Sequence, residues 1–338
     1  MEMINAKLLI GEAREKLAGK DVRRMAAIHA GVTVAAALVS TVLQYVLAER
    51  IGNTSGLSGM GTRSVLETLQ TVLQWANMVL LPFWNLGFLY VAMQWARGND
   101  PRREDLLTGF HRVGPCLGLL LNRALITIAV VVLCVNVSSV VYMMTPAASG
   151  ILELAGTYGN TEELYDYLYS MDQTQTMELF RSMIPMLVVC VLLSALLLIP
   201  LLYRFRLAEY AVLDQKGLRA FPAMLVSAAL LRRRCWQLFK VDLQLWWYYG
   251  LKLLCMLLLY ADLLLVALGI TLPVAGDMAY MTTYLLYLAA LFAVETLFRP
   301  RVETVYANIY EKLLQAGPAP KKETPVKPQN MPWDDTHE

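Results

Sequence analysis

Six blocks of this chain are apolar over about the length a helix needs to cross a bilayer. They run from about Met25 to Ala48, Val65 to Trp95, Ala124 to Met144, Ser182 to Tyr203, Leu253 to Ile270 and Tyr280 to Phe298. One water-soluble core could not absorb them. Of the 338 residues 57% are hydrophobic and 17% charged, against about 25% charged in an ordinary soluble domain. Lipid is the natural solvent for such blocks, because a helix satisfies its own backbone hydrogen bonds there. The expected fold class is all-α: a polytopic membrane helix bundle of about six transmembrane spans, with amphipathic helices at the cytoplasmic surface. The second block is too long for one upright span and carries Pro82 in its middle. That predicts a tilt, a kink or an outer extension.

Charge placement predicts the orientation. Lys16, Lys20, Arg23 and Arg24 precede the first block, and Arg97, Arg102, Arg103 and Arg112 follow the second. Arg204, Arg206, Lys216, Arg219, Arg232, Arg233, Arg234 and Lys240 separate the fourth and fifth. Residues 146–180 contain no Lys or Arg but carry Glu153, Glu162, Glu163, Asp166, Asp172 and Glu178, and 271–279 holds only Asp277. Basic loops stay in the cytoplasm, so both termini are expected inside; only Arg50 and Arg63 run against the alternation. The first residues are charged and amphipathic, unlike a cleaved leader. Three regions result: 1–24, an N-terminal amphipathic cytoplasmic segment; 25–315, six spans with interfacial helices; and 316–338, a Pro/Lys/acid-rich tail too polar to bury a core and expected to be disordered.

The segment "LLRRRCWQLFKVDLQLWWYYG", 230–250, joins charge, tryptophan and leucine in that order. It reads as an interfacial elbow feeding the fifth span. Arg232, Arg233, Arg234 and Lys240 are candidate contacts for anionic headgroups, with Trp246 and Trp247 at headgroup depth. Further apolar stripes fall at helical spacing: Leu218, Phe221, Leu225 and Ala228; Val302, Val305, Tyr306, Ile309 and Leu313; and, more weakly, Ile4, Leu8 and Leu17. Two arrangements fit them: a collar lying on the inner membrane surface, or a small cytoplasmic layer in which they pack on each other. Two proline-broken span ends, each followed by a polar turn and an amphipathic approach, hint at an internal repeat.

Pro200, Tyr203, Tyr210, Asp214, Ser227 and the 232–234 arginines precede "WQLFKVDLQLW" at 236–246, and "ANIYEKL" at 307–313 follows Pro300. In this order, with the opening "EAREKLAGK", the chain resembles a bacterial family of multi-pass membrane proteins known as domain of unknown function 975. The resemblance implies a polytopic protein of the bacterial cytoplasmic membrane and brings no catalytic residues with it.

Few residues point to chemistry. Asp262 falls near mid-span in the fifth block, where an ionised carboxylate is costly. It reads either as a proton or cation site or as a protonated acid hydrogen-bonded to a partner such as Asn85, Asn136, Ser194 or Tyr287. Arg123 and Lys252 stand at inner span ends, where snorkelling explains them. Glu295 and Arg299 fit a surface ion pair, and His29 a polar packing residue. Ala26, Ala30, Gly31, Ala35, Ala36 and Ser40 suit close helix packing. Cys116, Cys134, Cys190, Cys235 and Cys255 show no metal-binding spacing and read as reduced, packed thiols. No metal, cofactor or nucleic acid is expected. The expected partners are membrane lipids with anionic headgroups and a possible protein at the cytoplasmic face. The leading expectation is a non-enzymatic membrane protein that organises lipid or partners. A transporter using Asp262 is the alternative, and an intramembrane enzyme the weakest.

Overall fold

The structure, a computed structural model, describes residues 6–18, 21–53, 60–145, 148–149, 172–215, 217–232, 234–260 and 276–317. Asp262, Arg233, most of the acidic 146–180 segment and the 318–338 tail lie outside the described residues. Among the described residues every regular element is a helix. These are α1 (Ala6–Leu17), α2 (Val22–Asn53), α3 (Met60–Ala96), a 3-10 turn (Arg103–Leu107), α4 (Thr108–His111), α5 (Val113–Met143), α6 (Gln173–Arg204), α7 (Ala208–Asp214), α8 (Ala220–Leu230), α9 (Cys235–Gln244), α10 (Trp246–Leu259), α11 (Gly276–Leu297) and α12 (Arg299–Ala316).

Four stretches, 22–51, 63–96, 113–143 and 181–214, are long and apolar enough to cross a membrane. The pair α11 and α12, bent by 43° at Phe298, makes a fifth if taken as one span. The fifth block of the sequence is described only as far as Tyr260.

Burial divides the molecule into two ends. At one end α1, the start of α2, the second half of α3, and α7 to α9 and α12 close around a common core. At the other, long helices expose apolar side chains: Val39 and Val46 of α2, Leu69 and Met78 of α3, Val132 and Val140 of α5, and Val191 and Leu196 of α6. In water such a surface would drive aggregation. Its extent on these four helices is what a lipid-facing surface requires.

Helix α3 runs through both ends. Before Pro82 its side chains are largely exposed; from Phe83 to Ala96 almost every apolar residue is buried. Phe83, Leu86, Leu89 and Met93 face α7 and α12, while Phe88, Val91, Ala92 and Trp95 face α2 and the turn at Leu106. The surplus length anticipated for this block therefore continues into the packed end. Two glycines permit the tightest approach. A Cβ on Gly87 would lie 1.7 Å from the Leu106 carbonyl oxygen, and one on Gly109 would lie 2.1 Å from that of Phe83. Lys16 closes the end of α3, donating to the Ala96 carbonyl at 2.5 Å and to Asn308 Oδ1 at 2.9 Å.

The amphipathic stripes resolve differently from their sequence pattern. Helix α12 is buried nearly all round, Thr304, Ala307, Asn308 and Tyr310 included. It is the centre of a packed layer and not a helix laid on a surface. Helix α1 packs through Ala6, Leu9 and Ala13, leaving Leu8 exposed. Helix α8 buries Ala220, Ala223, Met224, Ser227 and Leu230, while the predicted stripe residues Phe221 and Leu225 face outward. Hydropathy marks an apolar face but cannot say whether protein or lipid covers it.

At the apolar end a polar seam ties three helices. Asn77 of α3 donates to Ser40 of α2, and the hydroxyls of Thr41 (α2) and Tyr284 (α11) lie 2.6 Å apart. The small residues of α2 allow this approach: Gly31 leaves room for Phe292 of α11.

Gly87→Ala is expected to lower thermal stability by an overpacking cost of about 1–3 kcal/mol or more, because backbone must move away. Gly114→Ala, where a Cβ meets nothing within 4 Å, is the matched control. Melting curves of the detergent-solubilised full chain compare the two; equal melting temperatures would contradict the close approach.

Candidate functional site

Charged side chains collect where the packed and apolar ends meet. Arg299, at the start of α12, has a side chain only 12% exposed. It donates to Glu295 at 3.0 Å and to Asn85 of α3 at 3.0 Å, and pairs with Glu303 at 3.6 Å. Lys252 of α10 reaches Glu295 at 2.7 Å. Arg123 of α5 pairs with Glu209 of α7. Tyr210 donates to Glu303 at 3.1 Å. Arg206, between α6 and α7, lies 4.6 Å from the centre of the Tyr306 ring and donates to Tyr249 at 2.9 Å. Asp242 of α9 accepts from both Tyr203 and Tyr306. A cavity of about 230 Å³ opens among Asn85, Arg123, Arg206, Glu209, Arg299 and Glu303.

This cluster is balanced. Arg123, Arg206, Lys252 and Arg299 supply four cations, and Glu209, Asp242, Glu295 and Glu303 supply four carboxylates. Buried charge is tolerated only when compensated, and here each partner comes largely from a different helix. The network thus joins α3, α5, α7, α9, α10, α11 and α12, and among the described residues its cations and carboxylates are equal in number. A second junction lies further into the packed end. Arg97 pairs with Asp214 and with Glu311 of α12 at 2.6 Å. Burial opposes its charge, yet hydrogen bonds to the two carboxylates outweigh that and raise its pKa above the usual arginine value.

The sequence candidates are placed as follows. Asn85 is in the network, held by Arg299. Asn136 is exposed on α5 and donates at 2.7 Å to the Val132 carbonyl of its own helix. The transport reading rests on Asp262, outside the described residues. Arg123 and Lys252 form ion pairs with Glu209 and Glu295, so snorkelling is not needed to account for them. The Glu295–Arg299 pair forms as expected but is buried. His29 stacks on Trp84, ring centres 5.5 Å apart, and packs on Phe88. The five cysteines are free, with Cys116, Cys134 and Cys255 buried. Among the described residues no three His, Cys, Asp or Glu side chains converge as metal ligands.

The elbow has a definite geometry. Helix α9 buries Leu238 and Val241 against the packed layer, followed by Leu245. Its opposite side exposes Trp236 (66%), Leu243 (60%) and, at the next corner, Trp246 (66%). Phe239, partly exposed, stacks on Trp236 at 5.1 Å between ring centres. Arg232 and Lys240 are exposed beside this face. Trp247 turns inward, edge to face with Phe298 at 4.9 Å. Arg234 is half-buried, with Nη1 unpartnered. Of the expected headgroup contacts, Arg232, Lys240 and Trp246 are thus available and Trp247 is structural.

Sequence reasoning missed Glu209, Asp242 and Glu303. A signal existed: all three are acids within segments otherwise read as basic and interfacial. An acid there needs a nearby cation, but which one depends on the packing of helices far apart in the chain.

Arg299→Gln leaves Glu295 and Glu303 buried beside too little positive charge and is expected to cost about 3–5 kcal/mol. Arg63→Gln, in the exposed Arg63–Glu67 pair, should cost under about 1 kcal/mol. Thermal unfolding in detergent distinguishes them; similar small losses would show that the network does not bear on stability.

Comparison of the chain with protein-family models, with curated proteins and with solved structures gives no match.

Proposed function

We propose that the chain is a non-enzymatic, six-span protein of the bacterial cytoplasmic membrane that organises anionic lipid at the inner leaflet, with both termini in the cytoplasm. The observation that carries this reading is α9, which has two apolar sides. One is buried in the packed layer through Leu238 and Val241; the other presents Trp236, Leu243 and the adjoining Trp246 to the surroundings. Tryptophans flanked by exposed cations favour the depth at which headgroups meet acyl chains. Arg232 and Lys240 stand at that level and would each attract the anionic surface by about 1 kcal/mol. Phe221 and Leu225 of α8 are exposed apolar side chains as well. The balanced network above it would hold the spans at one depth while α9 lies along the leaflet. The basic segments cluster at the packed end, which supports placing that end in the cytoplasm. The resemblance to the family of unknown function 975 accords with this assignment.

Purified full chain should retain phosphatidylglycerol over phosphatidylcholine when lipid carried through purification is weighed by mass spectrometry. Arg232→Gln with Lys240→Gln should cut that enrichment several-fold, and Trp236→Ala with Trp246→Ala should lower it further. Unchanged enrichment in both would remove the role given to α9. Single-cysteine accessibility should report residue 240 from the inner face only; labelling from outside intact cells would reverse the orientation.

A further inference from the structure

A basic concavity lies apart from the balanced network and shares none of the residues that line its cavity. It is formed by the end of α1, the start of α2 and the bend between α11 and α12, and encloses about 470 Å³. Arg14, Arg23 and Arg301 line it, with Leu17, Val22 and Leu297 as apolar wall. Among the described residues the only carboxylate in its lining is Asp21, which is paired with Arg24 at 3.4 Å. None of the three lining arginines is ion-paired to a carboxylate among the described residues, in contrast to Arg123 and Arg299 in the network. Three uncompensated guanidinium groups around one concavity repel each other unless an anion lies between them. Their planar, forked donors suit the oxygens of a phosphate group.

We propose that this pocket binds a phosphate-bearing anion. Its position also suits a lipid source. Leu297 is 49% exposed, and Ala293 and Leu286 follow on the exposed side of α11 at helical spacing toward the apolar end. A phosphodiester held by the arginines could lay an acyl chain along that track. The phosphate chemistry stands on the pocket alone; only the lipid source rests on the membrane reading above.

The test uses the full chain in neutral detergent and in nanodiscs. One arm measures thermal stabilisation by inorganic phosphate against chloride at equal ionic strength. The other measures retention of phosphatidylglycerol against phosphatidylcholine. Each arm is repeated with Arg14→Gln, Arg301→Gln and their combination, all exposed positions, and with Arg232→Gln/Lys240→Gln on α9 as the comparison. Each pocket arginine removed should weaken the response roughly fivefold, as expected for one cation near an anionic group. Responses in both arms that fall in the pocket variants support a site for the phosphate group itself. A response to phosphatidylglycerol alone supports a headgroup site, and one to phosphate alone a soluble anion. Absence of preference over chloride and phosphatidylcholine, or responses undiminished in the pocket variants, would overturn the proposal. If only the α9 variant lowers retention, the reading of α9 stands and the pocket proposal fails.

Discussion

Helix α3 has 37 residues, which at 1.5 Å each come to about 55 Å, while the hydrocarbon of a bilayer is about 30 Å thick. A helix of this length exceeds what one upright crossing would need, and its second half is covered by protein. The protein supplies its own solvent: from Phe83 onward the helix is enclosed by α1, α2, α7 and α12. This one excess of length explains why a layer exists at that end and why it forms around α3. The glycine contacts at Gly87 and Gly109 and the closing bond from Lys16 all serve to seat this half-helix.

The charged network lies where the packed end gives way to helices with exposed apolar side chains. Above it, side chains are compensated by other side chains; below it, apolar residues face outward with no protein cover. Ion pairs such as Arg299–Glu295 and Arg123–Glu209 are costly to desolvate but fix depth and register. A helix sliding by one turn would break such a pair and leave its charges uncompensated. The balance of the network also clarifies where a ligand belongs. In the network cations and carboxylates are matched, whereas among the described residues the Arg14, Arg23 and Arg301 pocket and the outward face of α9 carry positive charge with no carboxylate partner.

Much of this was legible in the chain. The lengths of the apolar blocks predicted the long helices, and the proline in the second block together with its excess length announced that this helix would do more than cross. The alternating side of the basic residues showed which end would carry charge. Other features were legible only in part, for a definable reason. The Val302 to Leu313 stripe is buried as read, and of the two arrangements left open the packed layer is the one found; the burial of Thr304, Asn308 and Tyr310 on the remaining sides was not anticipated. Helix periodicity reports where apolar groups are, not how many neighbours surround the helix. On α8 the stripe chosen from sequence is the uncovered side, because small residues such as Ala220 and Ala223 make the closer contacts.

What the sequence alone determined is the choice of secondary structure and the placing of long apolar runs on helices. Transfer of apolar side chains and backbone groups is a sum over local residues, so a run of about twenty such residues decides it without reference to the rest of the chain. What only the tertiary structure decided is the pairing of charge. Arg299 meets Asn85 across 214 residues, Arg123 meets Glu209 across 86 and Lys16 meets Asn308 across 292. Whether an arginine is neutralised or left open to an anion depends on separations of a few ångströms between remote segments. Coulomb energies fall with distance in space and take no account of distance along the chain.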